Sequence, residues 1–193
     1  LEKSDFRPKR MTMKNILKVG VPVCLQDGFI QVSFVVITIF ANQRGLTDAA
    51  AVGIVEKIIS ILFLVPSSMM STISALVAQN IGAGKHDRAK LTLKYVLMIT
   101  VTYGLIMTII VQFVSVPLVG LFTNDGAVAV SGAGYLRSYA SDCIFAGIHF
   151  CLSGYFYAYG LSVISFIHNS ISIVCARIPL SYYASVHFKD TLF

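Results

Sequence analysis

Tryptophan is absent from this chain of 193 residues, and charge is scarce: Asp, Glu, Lys and Arg together make up 12% of it. A soluble domain carries about 25% charged residues, so a chain with half that share cannot cover a water-exposed globule. The four cysteines, Cys24, Cys143, Cys151 and Cys175, show no CxxC spacing and all lie in apolar runs. They read as small packing residues, not as zinc ligands or a disulfide framework. No nucleophile elbow, metal cluster or pair of hydrolytic carboxylates is present. Gly82, Gly84 and Lys85 follow a helical run and lack the G-x-x-x-x-G-K-[ST] spacing of a phosphate loop. An enzyme is therefore not expected, and neither is a metal or other cofactor. No cleavable leader is expected in these residues, since the first ten, L-E-K-S-D-F-R-P-K-R, carry both signs of charge. Leucine in place of an initiating methionine points to a piece of a longer protein.

What the chain has in quantity is hydrophobic sequence, 56% of its residues with a mean hydropathy of +0.78. The expected class is all-α, a polytopic helical membrane protein. The formal charge of +6 does not indicate nucleic acid, because ten of the fifteen basic residues lie at 3–18 and 85–94, beside apolar runs. Basic residues flanking a span hold that end in the cytoplasm. They place the amino terminus and the second hairpin inside, with Arg44 and Lys189 outside.

Residues 1–12 read as a cytoplasmic linker. Five spans follow, at about 14–42, 51–81, 89–122, 128–159 and 162–187, and a tail at 189–193 ends the chain. Each exceeds the ~20 residues that cross a bilayer. Pro22 bends the first, where neighbouring helices must satisfy the carbonyl it frees, and the second returns to the cytoplasm through Pro66. The hairpin at 79–85 joins spans two and three. There Gln79 and Asn80 close a helix, Gly82 and Gly84 turn the chain, and Lys85 opens a basic cluster. Its role reads as structural. The loop T-N-D-G-A at 123–127 has turn composition.

An ionisable group inside a span costs about 2.5–3.5 kcal/mol on insertion scales, so it faces a cavity or a partner. Asp142, Ala146, His149 and Ser153 recur at helical spacing on one face. Asp142 either serves a cavity or pairs with Arg137 or Arg177, and His149 either joins it or packs among aromatics. Asp27 and Gln31, one turn apart beyond the Pro22 bend, form a second candidate pair with Gln26 beside them. Their alternatives are a cation path or cross-helix hydrogen bonding. The aromatic residues of the fourth span either stack on planar cations or face lipid.

The order G-V-P-V-C-L-Q (Gly20 to Gln26), A-A-A-V-G-I-V-E-K-I (Ala49 to Ile58) and A-L-V-A-Q-N-I-G-A-G-K-H-D-R-A (Ala75 to Ala89) resembles the multidrug and toxic compound extrusion (MATE) family. So do L-V-G-L-F-T-N-D (Leu118 to Asp125), G-Y-L-R (Gly134 to Arg137), S-G-Y-F-Y-A-Y-G (Ser153 to Gly160) and R-I-P-L (Arg177 to Leu180). The resemblance covers about residues 11–187. It implies most of one six-helix lobe, the carboxyl-terminal one, with an amino-terminal lobe of the same parent chain as its missing partner. The implied activity is export of cationic or amphipathic small molecules across the plasma membrane in exchange for protons or sodium. Sodium-coupled members have acidic residues at places that fall near Ile30 and Ala146 here, which puts that site in doubt. The remaining alternatives are a lipid-linked oligosaccharide flippase and a membrane interaction module without transport.

Overall fold

Two helix ends close in the same way and set the hairpins of the molecule. At the first, Gly84 has φ +70°, its N–H donates to the Ile81 carbonyl at 2.9 Å, and Lys85 N–H donates to the Asn80 carbonyl at 2.8 Å. At the second, Gly160 has φ +72°, and the N–H groups of Gly160 and Leu161 donate to the carbonyls of Tyr157 and Phe156. Both are the six-to-one closure that satisfies a helix's last carbonyls, and both need a residue free of the Cβ penalty at positive φ. Gly82, expected in the first turn, is instead the last residue of its helix.

The computed structural model describes residues 10–179 with Tyr182 and Tyr183, and gives the main chain alone at positions 44, 176 and 177. Among them run α1 (Arg10–Arg44), α2 (Leu46–Leu62), α3 (Leu64–Gly82), α4 (His86–Gly120), α5 (Gly126–Ala140), α6 (Asp142–Ala158) and α7 (Ser162–Ser172). The last continues as a π-helical turn, Ile173–Arg177. Most of the 1–12 linker, Lys189, the 189–193 tail and the end of the fifth expected span lie outside the described residues, as does the Arg177 side chain.

Three stretches among the described residues are long and apolar enough to cross a membrane: Arg10–Gln43, Leu46–Gly82 and His86–Gly120. The chain is a multi-pass helical membrane protein. Large apolar side chains face outward along its length, Phe113 at 80% and Val32 at 59% exposed, as a lipid or protein neighbour requires and water does not.

Two of the expected spans are broken. The second bends at Phe63, between α2 and α3. Pro66 has no N–H for the Leu62 carbonyl, and the Tyr103 hydroxyl donates to that carbonyl at 3.0 Å. The fourth expected span, 128–159, is two helices of 15 and 17 residues joined at Ser141. No proline lies there. Ile144 N–H turns to the Ser141 carbonyl at 3.3 Å, leaving the Ala140 carbonyl to accept from the Thr108 hydroxyl at 2.9 Å. One turn along α4, Gln112 Nε2 donates to the Arg137 carbonyl at 3.3 Å. One helix, α4, thus stitches both breaks.

Packing follows from this. The lower half pairs α3 with α6 and the upper half pairs α2 with α5, while α4 lies along both. Each half has its own core: Val52, Val55, Val119 and Leu136 in the upper, Ile73, Val77, Val96 and Cys151 in the lower. The seams rely on small residues. Gly104 and Gly147 let α6 approach α4 at Ile144 and Thr100, and Gly154 lies against Ile73 and the Met70 carbonyl of α3. α1 and α7 pack together on the flank, α1 against α2 of the upper half and α7 against α6 of the lower. Asp125 caps α5, its carboxylate accepting from Ala127 N–H at 2.9 Å.

The α6–α7 turn also orders the two ends of the molecule. Tyr159 stacks on His86 of the α3–α4 hairpin, with ring centroids 6.4 Å apart. Ser162 donates its hydroxyl to the Lys18 carbonyl of α1 at 3.4 Å. Lys18 and the Lys85–Lys94 cluster therefore share one end of the bundle.

Candidate functional site

Where the two spans break, the helices part. A cavity of about 700 Å³ opens at that level between α1, α2, α5, α6 and α7, large enough for a drug-sized molecule. Its aromatic wall is built at the breaks themselves. Phe63 meets Phe150 edge to face at 6.2 Å and Tyr139 at 6.2 Å, and Tyr139 meets Tyr135 at 5.8 Å. From α1 the lining is apolar: Ile30, Phe34 and Ile37.

The carboxylate, imidazole and amide groups of the lining come from α6 and α7, and α2 and α5 add the hydroxyls of Ser60 and Ser138. Asp142 is the first residue of α6, at the break, and Ala146 and His149 follow it into the cavity at helical spacing. The fourth residue expected on that face, Ser153, lies elsewhere: it is buried and accepts the Ser165 hydroxyl at 2.7 Å, joining α6 to α7. Two residues that the sequence did not single out complete the lining, His168 and Asn169 of α7. His168 stacks on His149, centroids 5.5 Å apart and planes 24° apart. The adjacent histidine and asparagine inside an apolar run were the available signal, since such groups in a span turn toward an interior. His149 Nε2 and Asn169 Nδ2 are both buried without a hydrogen-bond partner. Unsatisfied buried groups are few in native structures and call for an explanation.

The other candidates lie apart. Gln26 is 2% exposed within the bundle and its Oε1 has no partner, whereas Asp27 and Gln31 are exposed on α1. None of the three lines the cavity. Glu56 accepts the Thr38 hydroxyl at 3.2 Å, tying α2 to α1. Arg137 Nε donates to the Ser115 hydroxyl of α4 at 2.6 Å. Among the described residues no three His, Cys, Asp or Glu side chains are grouped to hold a metal ion, and the four cysteines are free. The lining combines aromatic faces, one carboxylate and two imidazoles, with no lysine or arginine among the described residues. Aromatic faces and a carboxylate are groups on which planar cations stack and pair.

A family model described as MatE matches residues 22–183, most of the chain and every residue that lines the cavity. The chain belongs to the MatE family. It is 27% identical over 157 residues to the multidrug export protein MepA of Staphylococcus saprophyticus, an alignment covering 81% of this chain and 35% of that protein. It is 26% identical over 110 residues to the probable multidrug resistance protein YoeA of Bacillus subtilis, covering 57% of this chain and 24% of the relative. The MatE chain thus spans about a third of the length of the first of these relatives and a quarter of the second. No solved structure matches it. Members of this family are transporters, which agrees with a membrane-type helical bundle whose polar groups converge on one open cavity.

Proposed function

We propose that the chain is part of a multidrug efflux antiporter that exports cationic or amphipathic molecules in exchange for protons or sodium. One observation carries the reading: an aromatic, carboxylate-bearing cavity lies where two spans of a MatE-family bundle are broken at the same depth. Interrupted helices around a mid-membrane site are what alternating-access carriers use. Support for the drug class comes from relatives named for multidrug export and multidrug resistance. The chain's partner in this reading is a second lobe of the same parent protein. The basic end of the bundle faces the cytoplasm and the whole lies in the plasma membrane. A flippase for lipid pyrophosphates is less favoured, because that anion requires basic groups and the cavity lining supplies Asp142 instead.

The test is ethidium efflux from a drug-sensitive bacterial host expressing the protein from its natural reading frame. Active, energy-dependent efflux is expected, and Asp142→Asn should slow it by about tenfold, a loss of about 1.4 kcal/mol of stabilisation. Absence of efflux contradicts the exporter reading. Unchanged efflux in Asp142→Asn removes Asp142 from the site.

A further inference from the structure

The two stacked imidazoles of the cavity have no structural task that needs titratable groups. His149 and His168 come from different helices, α6 and α7, and meet ring to ring at 5.5 Å. An aromatic or aliphatic pair would pack there as well without leaving His149 Nε2 buried and unpartnered. Imidazole is the side chain that gains and loses a proton near neutral pH. At this separation, within a membrane protein, one protonated ring opposes protonation of the other, so the pair accepts its protons one at a time. His168 is exposed at the cavity and provides the way in.

The other groups facing the pair complete the electrostatics. From α5 come the phenols of Tyr135 and Tyr139 and the Ser138 hydroxyl, and from α6 the Asp142 carboxylate, all lining the same space. α1 and α2 contribute apolar side chains and the Ser60 hydroxyl. Glu56, one turn from Ser60, is held by Thr38 and lies outside the lining. Asp142 thus favours one positive charge in the cavity, and the pair disfavours a second.

We propose that His149 and His168 together hold one exchangeable proton, which an entering cationic substrate displaces. The inference rests on the exporter reading and gives its coupling ion and residues. The step is a plain proton transfer: the imidazolium N–H bond breaks, the proton passes to water in the cavity, and the neutral ring remains beside the bound cation. Returning protonation expels the cation by the same repulsion. Exchange follows because proton and substrate compete for one region of negative potential.

The experiment is a histidine-selective ¹⁵N NMR titration of the protein, produced from its natural reading frame, in lipid nanodiscs. His149→Asn and His168→Asn assign the signals. The account expects two midpoints separated by about one pH unit or more. In either variant the remaining ring should titrate in a single step, and ethidium added near the upper midpoint should shift the pair toward its neutral form. A common midpoint that ignores replacement of the neighbour overturns the proposal. So do rings that stay unchanged when ethidium is added. The wild-type titration stands even if a variant misfolds. Efflux that persists in the double variant His149→Asn/His168→Asn leaves the exporter reading intact and removes the coupling. Absent efflux with a coupled titration does the reverse.

Discussion

Individual residues decide how closely these helices pass. Gly154 lies against the Ile73 side chain and the Met70 carbonyl, where a Cβ would overlap both. Because a backbone oxygen cannot turn aside, Gly154→Ala should force α6 from α3 and destabilise the protein by about 1–3 kcal/mol. Gly134, with nothing near its Cβ position, is the control: Gly134→Ala should leave stability unchanged or slightly raised. Thermal unfolding in detergent, followed by a thiol-reactive dye at the buried Cys143 and Cys151, measures both. The same scale shows what the sequence could reveal of the site. Asp142 and His149 were legible because a charge or imidazole in an apolar run is expensive and so conspicuous. His168 and Asn169 were not singled out, because their meaning depends on α7 folding back across α6, a contact no local spacing announces. Ser153 shared the helical spacing of Asp142 and His149, yet the close approach of α7 draws it to Ser165 instead.

At the scale of elements, α4 holds the architecture. Its Tyr103, Thr108 and Gln112 side chains take up the carbonyls of Leu62, Ala140 and Arg137, which the breaks at Phe63 and Ser141 leave without regular partners. Membrane hydrogen bonds of this kind contribute about 0.6 kcal/mol on average and about 1.7 at most. Tyr103→Phe and Thr108→Val should each lower stability by about 1 kcal/mol. Thr108→Val should also lengthen α6 toward α5, by freeing the Ala140 carbonyl to accept Ile144 N–H. Amide hydrogen exchange at Ile144 reads this directly: protection should rise in Thr108→Val, and unchanged or lower protection would show that Thr108 does not maintain the break. Pro66 stood in plain view in the sequence, but the bend at Phe63 that goes with it was not read from it. Nor was the break at Ser141, because Y-A-S-D-C contains no helix breaker and its cause lies on another helix. Thr108 and Gln112, two polar residues one turn apart in an apolar α4, were the distant trace of it.

On the scale of the whole molecule, the α6–α7 turn brings the amino-terminal and hairpin lysines to one end. The Asp125 loop lies at the other end of α4. Single cysteines placed at Lys14 and Lys85 should therefore react with a membrane-impermeant maleimide from one side, and a cysteine at Asn124 from the opposite side. Labelling of Lys14 and Lys85 positions from different faces would contradict the bundle. The helical, membrane-spanning character was fully readable from hydropathy, whereas the cavity arises only when two broken spans are set side by side. Its use as a drug site is the claim on which the rest turns, and Ala146, between Asp142 and His149 on the cavity wall, gives the most direct probe of it. In a protein freed of its native cysteines, Ala146→Cys should react with a small water-soluble thiol reagent, and ethidium should slow that reaction by about tenfold at saturating concentration. Reaction at the same rate with and without ethidium, in protein that still exports it, would contradict the account.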